Sequence, residues 1–308
     1  MTFATEVIVD DAGTRRGPAC EPRQMLADQE YDGHASVHDD AVAGDLGLAG
    51  APIEGPTHFS QFDPLAFDVW GPRWFESGCI SAHFLNMVVE GESVVASLTP
   101  DGDGSARIGA VKGDGSPVLT GTASTDAEIP TELDEGLQKM RSRDPVELFI
   151  VDQVTIGPVV DAAPQAVSID MEASNGHLYP FSLRQKLDGI TEPTAWYESA
   201  DNPWDRPILP FEMFSVLAAK ANGRLRVRGP AVGLFIDLEV RAVDGPLFVG
   251  EQYLLERKVL AAGQSRRVES HWVRTTVRVA ATGQHAATVL LHAGVFKASY
   301  ADYPSDRL

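Results

Sequence analysis

The chain has 308 residues, of which 44% are hydrophobic and 22% are charged, and it carries a net charge of -19. This composition is typical of a globular protein, and the length allows two hydrophobic cores. The negative charge argues against binding to nucleic acid, whose phosphates require Lys and Arg, and against binding to an anionic membrane surface.

The N-terminal residues contain no basic segment followed by an apolar one, so we expect no signal peptide. No stretch approaches the roughly 18 apolar residues that a membrane span requires. Cys20 and Cys79 are too few for a disulfide framework. We therefore expect a reducing, cytoplasmic location and no membrane partner.

Two helices are predicted before the first sheet. Asp39 or Asp40 can cap a short helix that follows a loop over residues 31–38. Pro56 then starts an apolar helix, which Pro64 should kink. Four side chains at helical spacing on this second helix are expected to belong to the core: Phe59, Phe62, Ala66 and Val69.

From Gly78 onward, apolar and polar residues alternate between glycine-rich turns, which predicts an antiparallel sheet. Residues 129–146 read as a polar linker with a short helix, and a new strand is expected over 147–156. The second half then repeats the order, with an apolar helix that begins near Pro210. Four strands are predicted after it, over residues 234–240, 253–259, 269–279 and 286–297.

Two features therefore occur twice in the chain. A proline-started apolar helix spans residues 55–62 and again residues 209–216, and a Gly-Glu turn between strands contains Gly91 and again Gly250. The copies keep the same order and lie about half the chain apart. A helix followed by a hairpin-rich sheet, repeated once, predicts an α+β fold of two similar halves. The contact between the halves is then the first place to expect a functional site.

A group of polar residues lies in and after the loop over residues 31–38. Histidine can move protons near neutral pH, and loops that lead into a buried helix often carry such groups. The alternative is structural, with the aspartates as helix caps and the histidines as surface or core residues. The candidates are Tyr31, Asp32, His34, His38, Asp40, Glu54, Gly55 and His58, and Glu212 stands in the second proline-started helix.

We expect no metal and no cofactor. His34 and His38 have a spacing that suits zinc only on a helix, and Gly33 favours a loop. The stretch after Asp101 resembles a calcium loop but lacks its essential glycine and glutamate. The sequence also contains no Walker A loop and no dinucleotide-binding glycine fingerprint.

The segment from His38 to Gly55 resembles the hydratase segment of MaoC-like hot-dog proteins. That segment reads Asn-Pro-Ile-His, then Asp two residues later, an Ala, a Gly-Phe and finally Pro-Ile-Ala-x-Gly. The residues in register with it are Val37, His38, Asp40, Gly47, Pro52, Ile53 and Gly55. The turn after Phe84 resembles the family's Phe-x-x-Pro-Val-x-x-Gly-Asp turn, with Met87 in place of proline, and Pro246 keeps that proline in the second half.

The resemblance implies a double hot-dog fold, in which each half wraps an antiparallel sheet around a central helix and the two halves form an intrachain pseudo-dimer. It implies an N-terminal hot-dog domain over 1–128, a linker over 129–146 and a C-terminal hot-dog domain over 147–308. It also implies a hydratase or dehydratase that acts on an unsaturated or β-hydroxy carbonyl compound, such as an acyl-CoA. The sequence leaves open whether two chains form a homodimer.

The motif departs from the family at one functional position. The family places an Asp five residues before the His, where this chain has Gly33. The resemblance therefore assigns catalysis to His38, with Asp32 or His34 assisting. We expect His38 in a pocket between the halves, within hydrogen-bonding reach of a carboxylate or of His34.

The remaining candidates are expected to bind substrate: Tyr31, Asp40, Glu54, Gly55, His58 and Glu212. Two alternatives stay open. A thioesterase would use a carboxylate at a helix start, such as Glu54 or Glu212. A non-catalytic binding protein would explain the missing Asp as lost chemistry.

Overall fold

The structure is a computed structural model and describes residues 2–31, 33–102, 104–159, 165–223 and 225–307. The strands are β1 (Ile8–Val9), β2 (Arg15–Cys20), β3 (Cys79–Phe84), β4 (Val94–Pro100), β5 (Ser105–Lys112), β6 (Pro117–Ser124), β7 (Gly157–Pro158), β8 (Gly233–Ala242), β9 (Tyr253–Gln264), β10 (Val268–Val279) and β11 (His285–Phe296). The α-helices are α1 (Asp40–Asp45), α2 (Asp63–Trp70), α3 (Arg73–Ser77), α4 (Glu132–Arg141), α5 (Leu183–Gly189) and α6 (Met213–Ala219). Short 3-10 helices span Gly55–Phe62, Ala195–Tyr197, Lys297–Ser299 and Ser305–Arg307.

The strands of the described residues belong to one antiparallel, 11-stranded sheet in the order β1-β2-β4-β5-β6-β3-β8-β11-β10-β9-β7. The first half of the chain supplies one side of this sheet and the second half supplies the other. The sides meet where β3 pairs with β8, in a register that runs from Cys79 opposite Arg241 to His83 opposite Asp237. The two halves therefore share a continuous backbone ladder as well as a side-chain interface.

The core helices keep the repeated order that the sequence predicted. The 3-10 helix Gly55–Phe62 and α2 precede β3, and α6 precedes β8. Pro64 stands in the first turn of α2, where the chain changes from 3-10 to α-helical geometry. Apolar side chains from these helices and from the inner face of the sheet form one buried cluster, which includes Phe59, Phe62, Ile80, Phe214, Leu217 and Leu238. No helix in these described ranges is both long and apolar enough to cross a membrane.

The strand expected over residues 147–156 does not form, so that prediction was wrong. The carboxylate of Glu269, on β10 and completely buried, accepts hydrogen bonds from the backbone N–H groups of Phe149, Ile150 and Val151. The donor–acceptor distances lie between 2.8 and 3.1 Å. Because a side chain engages these donors, they are not free to build a strand ladder.

The helix expected in the linker is confirmed as α4, which begins with a capping box. This helix lies on the outer face of the sheet, opposite the core helices. Its apolar side packs against side chains from β9, β10 and β11, and the contacting residues are Leu133, Leu137, Leu260, Trp272 and Leu290. Residues 132–141 are thus a packed part of the fold.

Candidate functional site

Each core helix begins directly after a glutamate. Glu54 precedes the 3-10 helix Gly55–Phe62, and Glu212 precedes α6. Burial raises the pKa of Glu54, and burial raises the pKa of Glu212 to about 7. Lys186 contacts both Glu212 and Thr57, so the two helix starts, one from each half, lie close together.

The start of the first core helix is fixed by a close approach between Gly55 and Phe84. A Cβ atom on Gly55 would lie 2.6 Å from the ring of Phe84, so no other residue fits here without a shift of that ring. Phe84 in turn stacks on Phe59, with ring centroids 6.2 Å apart. Close packing against Phe84 therefore explains why the hydratase-like segment has glycine at position 55.

His38 stands just before α1 and is held by the backbone of the hydratase-like segment. Its Nδ1 lies 2.7 Å from the carbonyl oxygen of Pro52, which also accepts a hydrogen bond from the side chain of Gln24. A carbonyl can only accept, so Nδ1 carries the proton and Nε2 presents a lone pair in the neutral ring. Burial lowers the pKa of His38, although the Pro52 carbonyl acts in the opposite direction. The imidazole is therefore suited to accept a proton at neutral pH.

The partner expected for His38 was a carboxylate or His34. Within the described part of the chain, its ring bonds to the Pro52 carbonyl instead. The ring of His34 contacts other groups, with its centroid 5.5 Å from that of Tyr31 and its atoms against the backbone of Gly229. Asp32 lies outside the described residues. The loop also contacts the second half through a bridge from Ala35 to Val232.

Asp40 and His58 have contrasting surroundings. Asp40 is exposed and accepts a hydrogen bond from the backbone N–H of Ala51, which ties α1 to the hydratase-like segment. His58 is buried, and its Nδ1 has no hydrogen-bond partner among the described residues. Burial, together with the nearby charges of Lys186 and Lys112, lowers the pKa of His58 to about 4. The ring is therefore neutral at physiological pH.

Glu54 is linked to residues 157–208, the part of the second half that precedes its core helix. The hydroxyl of Tyr179 lies 2.6 Å from its Oε1 and donates a hydrogen bond to it. Tyr179 is buried, and burial next to Glu54 keeps the pKa of its hydroxyl well above the usual range. The hydroxyl of Tyr179 therefore keeps its proton at physiological pH and can donate it to the carboxyl group of Glu54 in a hydrogen bond.

Glu212 is linked to the same segment through Lys186 on α5. The Nζ atom of Lys186 lies 2.9 Å from Oε2 of Glu212 and donates to Oγ1 of Thr57 at 3.0 Å. Lys186 and Glu212 are both almost completely buried. Lys186 therefore bridges the start of the second core helix to the first turn of the first one.

Tyr179 and Lys186 were not predicted from the sequence. They belong to residues 157–208, a stretch whose pattern is irregular. One signal was present, because Ser182 and Gln185 have the spacing of a capping box and do form one at the start of α5. That signal predicts the helix but not the contacts of its lysine.

A second polar group lies on the outer face of the sheet, across the pairing of β3 with β8. The carboxylate of Asp237 accepts hydrogen bonds from Nδ1 of His83 at 2.5 Å and from Nδ1 of His292 at 2.6 Å. The ring of His292 stacks on Trp272, with centroids 4.1 Å apart. These four residues occupy matching positions on four neighbouring strands.

Within the ranges described above, no group of three or more His, Cys, Asp or Glu side chains is arranged to hold a metal ion.

No family model matches the sequence, and no curated protein matches it significantly. Solved structures do match the fold over nearly the whole chain. The dehydratase domain of PpsC from Mycobacterium tuberculosis, in complex with C12:1-CoA, has a TM-score of 0.53 at 14% identity, over 94% of this chain and 97% of that one. Rv0216, a conserved hypothetical protein of the same organism with a double hot-dog fold, has a TM-score of 0.54 at 12% identity, over 95% of this chain and 96% of that one. The protein therefore has the double hot-dog fold that the MaoC-like resemblance implied.

Proposed function

We propose that the protein is a hydro-lyase that interconverts a β-hydroxyacyl thioester and the corresponding α,β-unsaturated thioester. The observation that carries this proposal is the state of His38. Its Nδ1 proton is held by the Pro52 carbonyl, its pKa is lowered by burial, and its Nε2 is free to accept a proton. A neutral imidazole of fixed tautomer is the group that removal of an α-proton requires.

Dehydration also needs an acid that protonates the departing hydroxyl, and we assign this role to Glu212. Because burial raises its pKa to about 7, a large fraction of Glu212 is protonated at neutral pH. In the dehydration direction, His38 removes the proton from Cα, the Cα–Cβ double bond forms, and the Cβ–O bond breaks as Glu212 protonates the oxygen. Hydration is the reverse reaction, and it starts with His38 as the imidazolium and Glu212 as the carboxylate.

The thioester carbonyl develops negative charge in this reaction, and a helix start can stabilise it. We place the carbonyl oxygen at the beginning of the 3-10 helix Gly55–Phe62, next to the backbone N–H of Gly55, because Pro56 has no N–H and Thr57 donates its own to the Glu54 carbonyl. Glu54 and His58 flank this position and remain our candidates for contacts with the acyl chain, together with Tyr31 and Asp40 on the preceding loop. His34 and Asp32 remain candidates to assist His38.

The substrate class is proposed from the fold and its relatives. The PpsC dehydratase domain, whose fold this chain shares, was solved with C12:1-CoA. We accordingly propose a CoA thioester as the substrate. We also propose the division into a hot-dog domain over 1–128, a linker over 129–146 and a hot-dog domain over 147–308.

A panel of 3-hydroxyacyl-CoA and 2-enoyl-CoA thioesters of increasing chain length tests the proposal. We expect reversible loss and gain of the conjugated double bond, with the thioester intact. A hot-dog thioesterase is the second candidate, because a buried glutamate that titrates near neutrality can also activate water. Release of free CoA without a change in the double bond would favour the thioesterase, and tight binding without turnover would favour a binding protein.

A further inference from the structure

A small cavity lies beside Glu212, between the starts of the two core helices and α5. Its volume is about 10 Å³, which is roughly the space that one water molecule needs. Side chains from both halves of the chain line the cavity, including Arg23, Met25, Thr57, Ser60, Lys186 and Glu212. A space of this size is at the lower limit of what a single water molecule requires.

The carboxylate oxygens of Glu212 at this cavity are unsatisfied acceptors among the described residues. Its side chain is 1% exposed, and Lys186 lies 2.9 Å from Oε2. Neither carboxylate oxygen, however, receives a well-directed hydrogen bond from the described residues. A buried acceptor without a donor costs about 1–3 kcal/mol, and more when it is charged. Buried water molecules are commonly found where such groups line a cavity.

The other polar groups at the cavity can complete the coordination of a water. Lys186 uses one N–H on Thr57 and faces Glu212, which leaves a donor for a third partner. Thr57 accepts from Lys186, so its own O–H can donate. Ser60 donates to the Thr57 carbonyl and keeps lone pairs that can accept. A water here could donate to Glu212 and accept from Lys186 or Thr57.

We propose that this cavity is the binding site of the water molecule that the hydro-lyase reaction releases or consumes. The inference rests on the proposed function. In hydration, the oxygen of this water forms the new bond to Cβ, one of its protons passes to the Glu212 carboxylate, and the imidazolium of His38 supplies a proton to Cα. In dehydration, Glu212 returns its proton to the departing oxygen, and the product water occupies the cavity. Thr57 links the cavity to the helix start at Gly55, where the thioester carbonyl is placed.

Gly189 provides a way to fill the cavity without touching Glu212. It lines the cavity at the end of α5, and a Cβ on it would lie 3.7 Å from Cδ of Arg23 and 4.0 Å from Sδ of Met25, both of which line the same space. These are ordinary van der Waals distances, so Gly189→Ala should fold. Gly44→Ala on α1 is the matched control, because a Cβ at Gly44 meets no atom within 4 Å.

The experiment combines a high-resolution crystal structure of the full chain without substrate and turnover of 2-enoyl-CoA by both variants. We expect one water within hydrogen-bonding distance of Glu212, its loss in Gly189→Ala, and a fall of about ten- to a hundredfold in kcat for that variant alone. Melting temperatures should show no loss of stability in either variant. An empty cavity in the unmodified protein would overturn the inference.

Two further outcomes separate the inference from the proposed function. If Gly189→Ala loses the water but turns over as fast as Gly44→Ala, the inference fails and the hydro-lyase remains. If the unmodified protein binds the water yet leaves every enoyl-CoA and hydroxyacyl-CoA unchanged, the proposed function fails, and the reactive role of the water fails with it.

Discussion

The hydroxyl of Tyr179 donates a 2.6 Å hydrogen bond to Oε1 of Glu54 and so ties the second half of the chain to the start of the first core helix. Tyr179→Phe removes this donor and leaves the buried carboxyl without it. We expect the free energy of unfolding to fall by about 1–3 kcal/mol, the usual cost of leaving a buried acceptor without its donor. Urea unfolding measures this loss. A double-mutant cycle with Glu54→Leu, which removes the acceptor, should show a favourable coupling energy between the two side chains, and additive losses would contradict a direct contact.

Replacement of His38 tests the proton acceptor. His38→Ala should lower kcat for dehydration by roughly 10²–10⁴, the usual contribution of general acid–base catalysis. Stability should change little, because the ring is partly exposed and, among the described residues, its side-chain hydrogen bond goes to the Pro52 carbonyl. His83→Asn is the matched control, since His83 lies on the outer face of the sheet. Full activity of His38→Ala on a substrate that the unmodified protein dehydrates would remove His38 from the mechanism.

The pH dependence of dehydration follows from the two proposed groups. His38 must be neutral, so kcat/KM should rise as the pH rises through its lowered pKa. Glu212 must be protonated, so kcat/KM should fall as the pH rises through about 7. Besides burial, five neighbouring groups contribute to the titration of Glu212 or feel its charge: Lys186, Glu192, Glu54, Asp63 and Tyr197.

Lys186 sets the position of the falling limb of that profile. Its charge holds the pKa of Glu212 below the value that burial alone would give. Lys186→Met should therefore move the falling limb to higher pH, and Lys186→Arg should move it back toward the original position. A purely structural lysine would lower activity equally at every pH.

Asp237→Asn tests the paired histidines on the outer face. The hydrogen bond to Asp237 raises the pKa of His83, so its stabilising effect is fully present below about pH 6.5 and is lost as the pH rises through the raised value. We expect Asp237→Asn to lower the free energy of unfolding by roughly 1 kcal/mol more at about pH 5.5 than at about pH 8.5. The figure is small because His83 is about half exposed. Asp68→Asn, which breaks the exposed ion pair with Arg15, should show a much smaller difference.

The net charge of -19 also predicts that the protein does not bind nucleic acid. The protein should not retain DNA or RNA at physiological salt, because few basic groups are available to replace the counterions of phosphates. Fluorescence anisotropy with labelled oligonucleotides measures this. Micromolar binding that weakens as salt increases would contradict the interpretation of the charge.

The fold was largely predictable because its signals are local or periodic. Alternation from Gly78 onward marked the first sheet, Pro56 marked the first core helix, and the repetition of both led to two similar halves. The strand over 147–156 was predicted wrongly because its backbone donors bond to Glu269, which lies more than a hundred residues away in sequence. No local pattern carries that information.

The candidate site was only partly predictable for the same reason. Glu54, Gly55 and His38 lie within one short segment, and the resemblance to a known motif singled them out. Tyr179 and Lys186 reach that segment from far along the chain, so only the folded structure reveals them as partners of Glu54 and Glu212. His83 and Asp237 are likewise joined by a strand register that no sequence pattern specifies.

The pairing of β3 with β8 also limits how this chain can be divided. Those strands are neighbours at the middle of the sheet, so either half produced alone would present a new, unprotected edge with unpaired backbone groups. Such edges recruit strands from other molecules. The separated halves are therefore expected to aggregate or to recombine with each other, and fragments made for biochemical work should be co-expressed as complementary pieces.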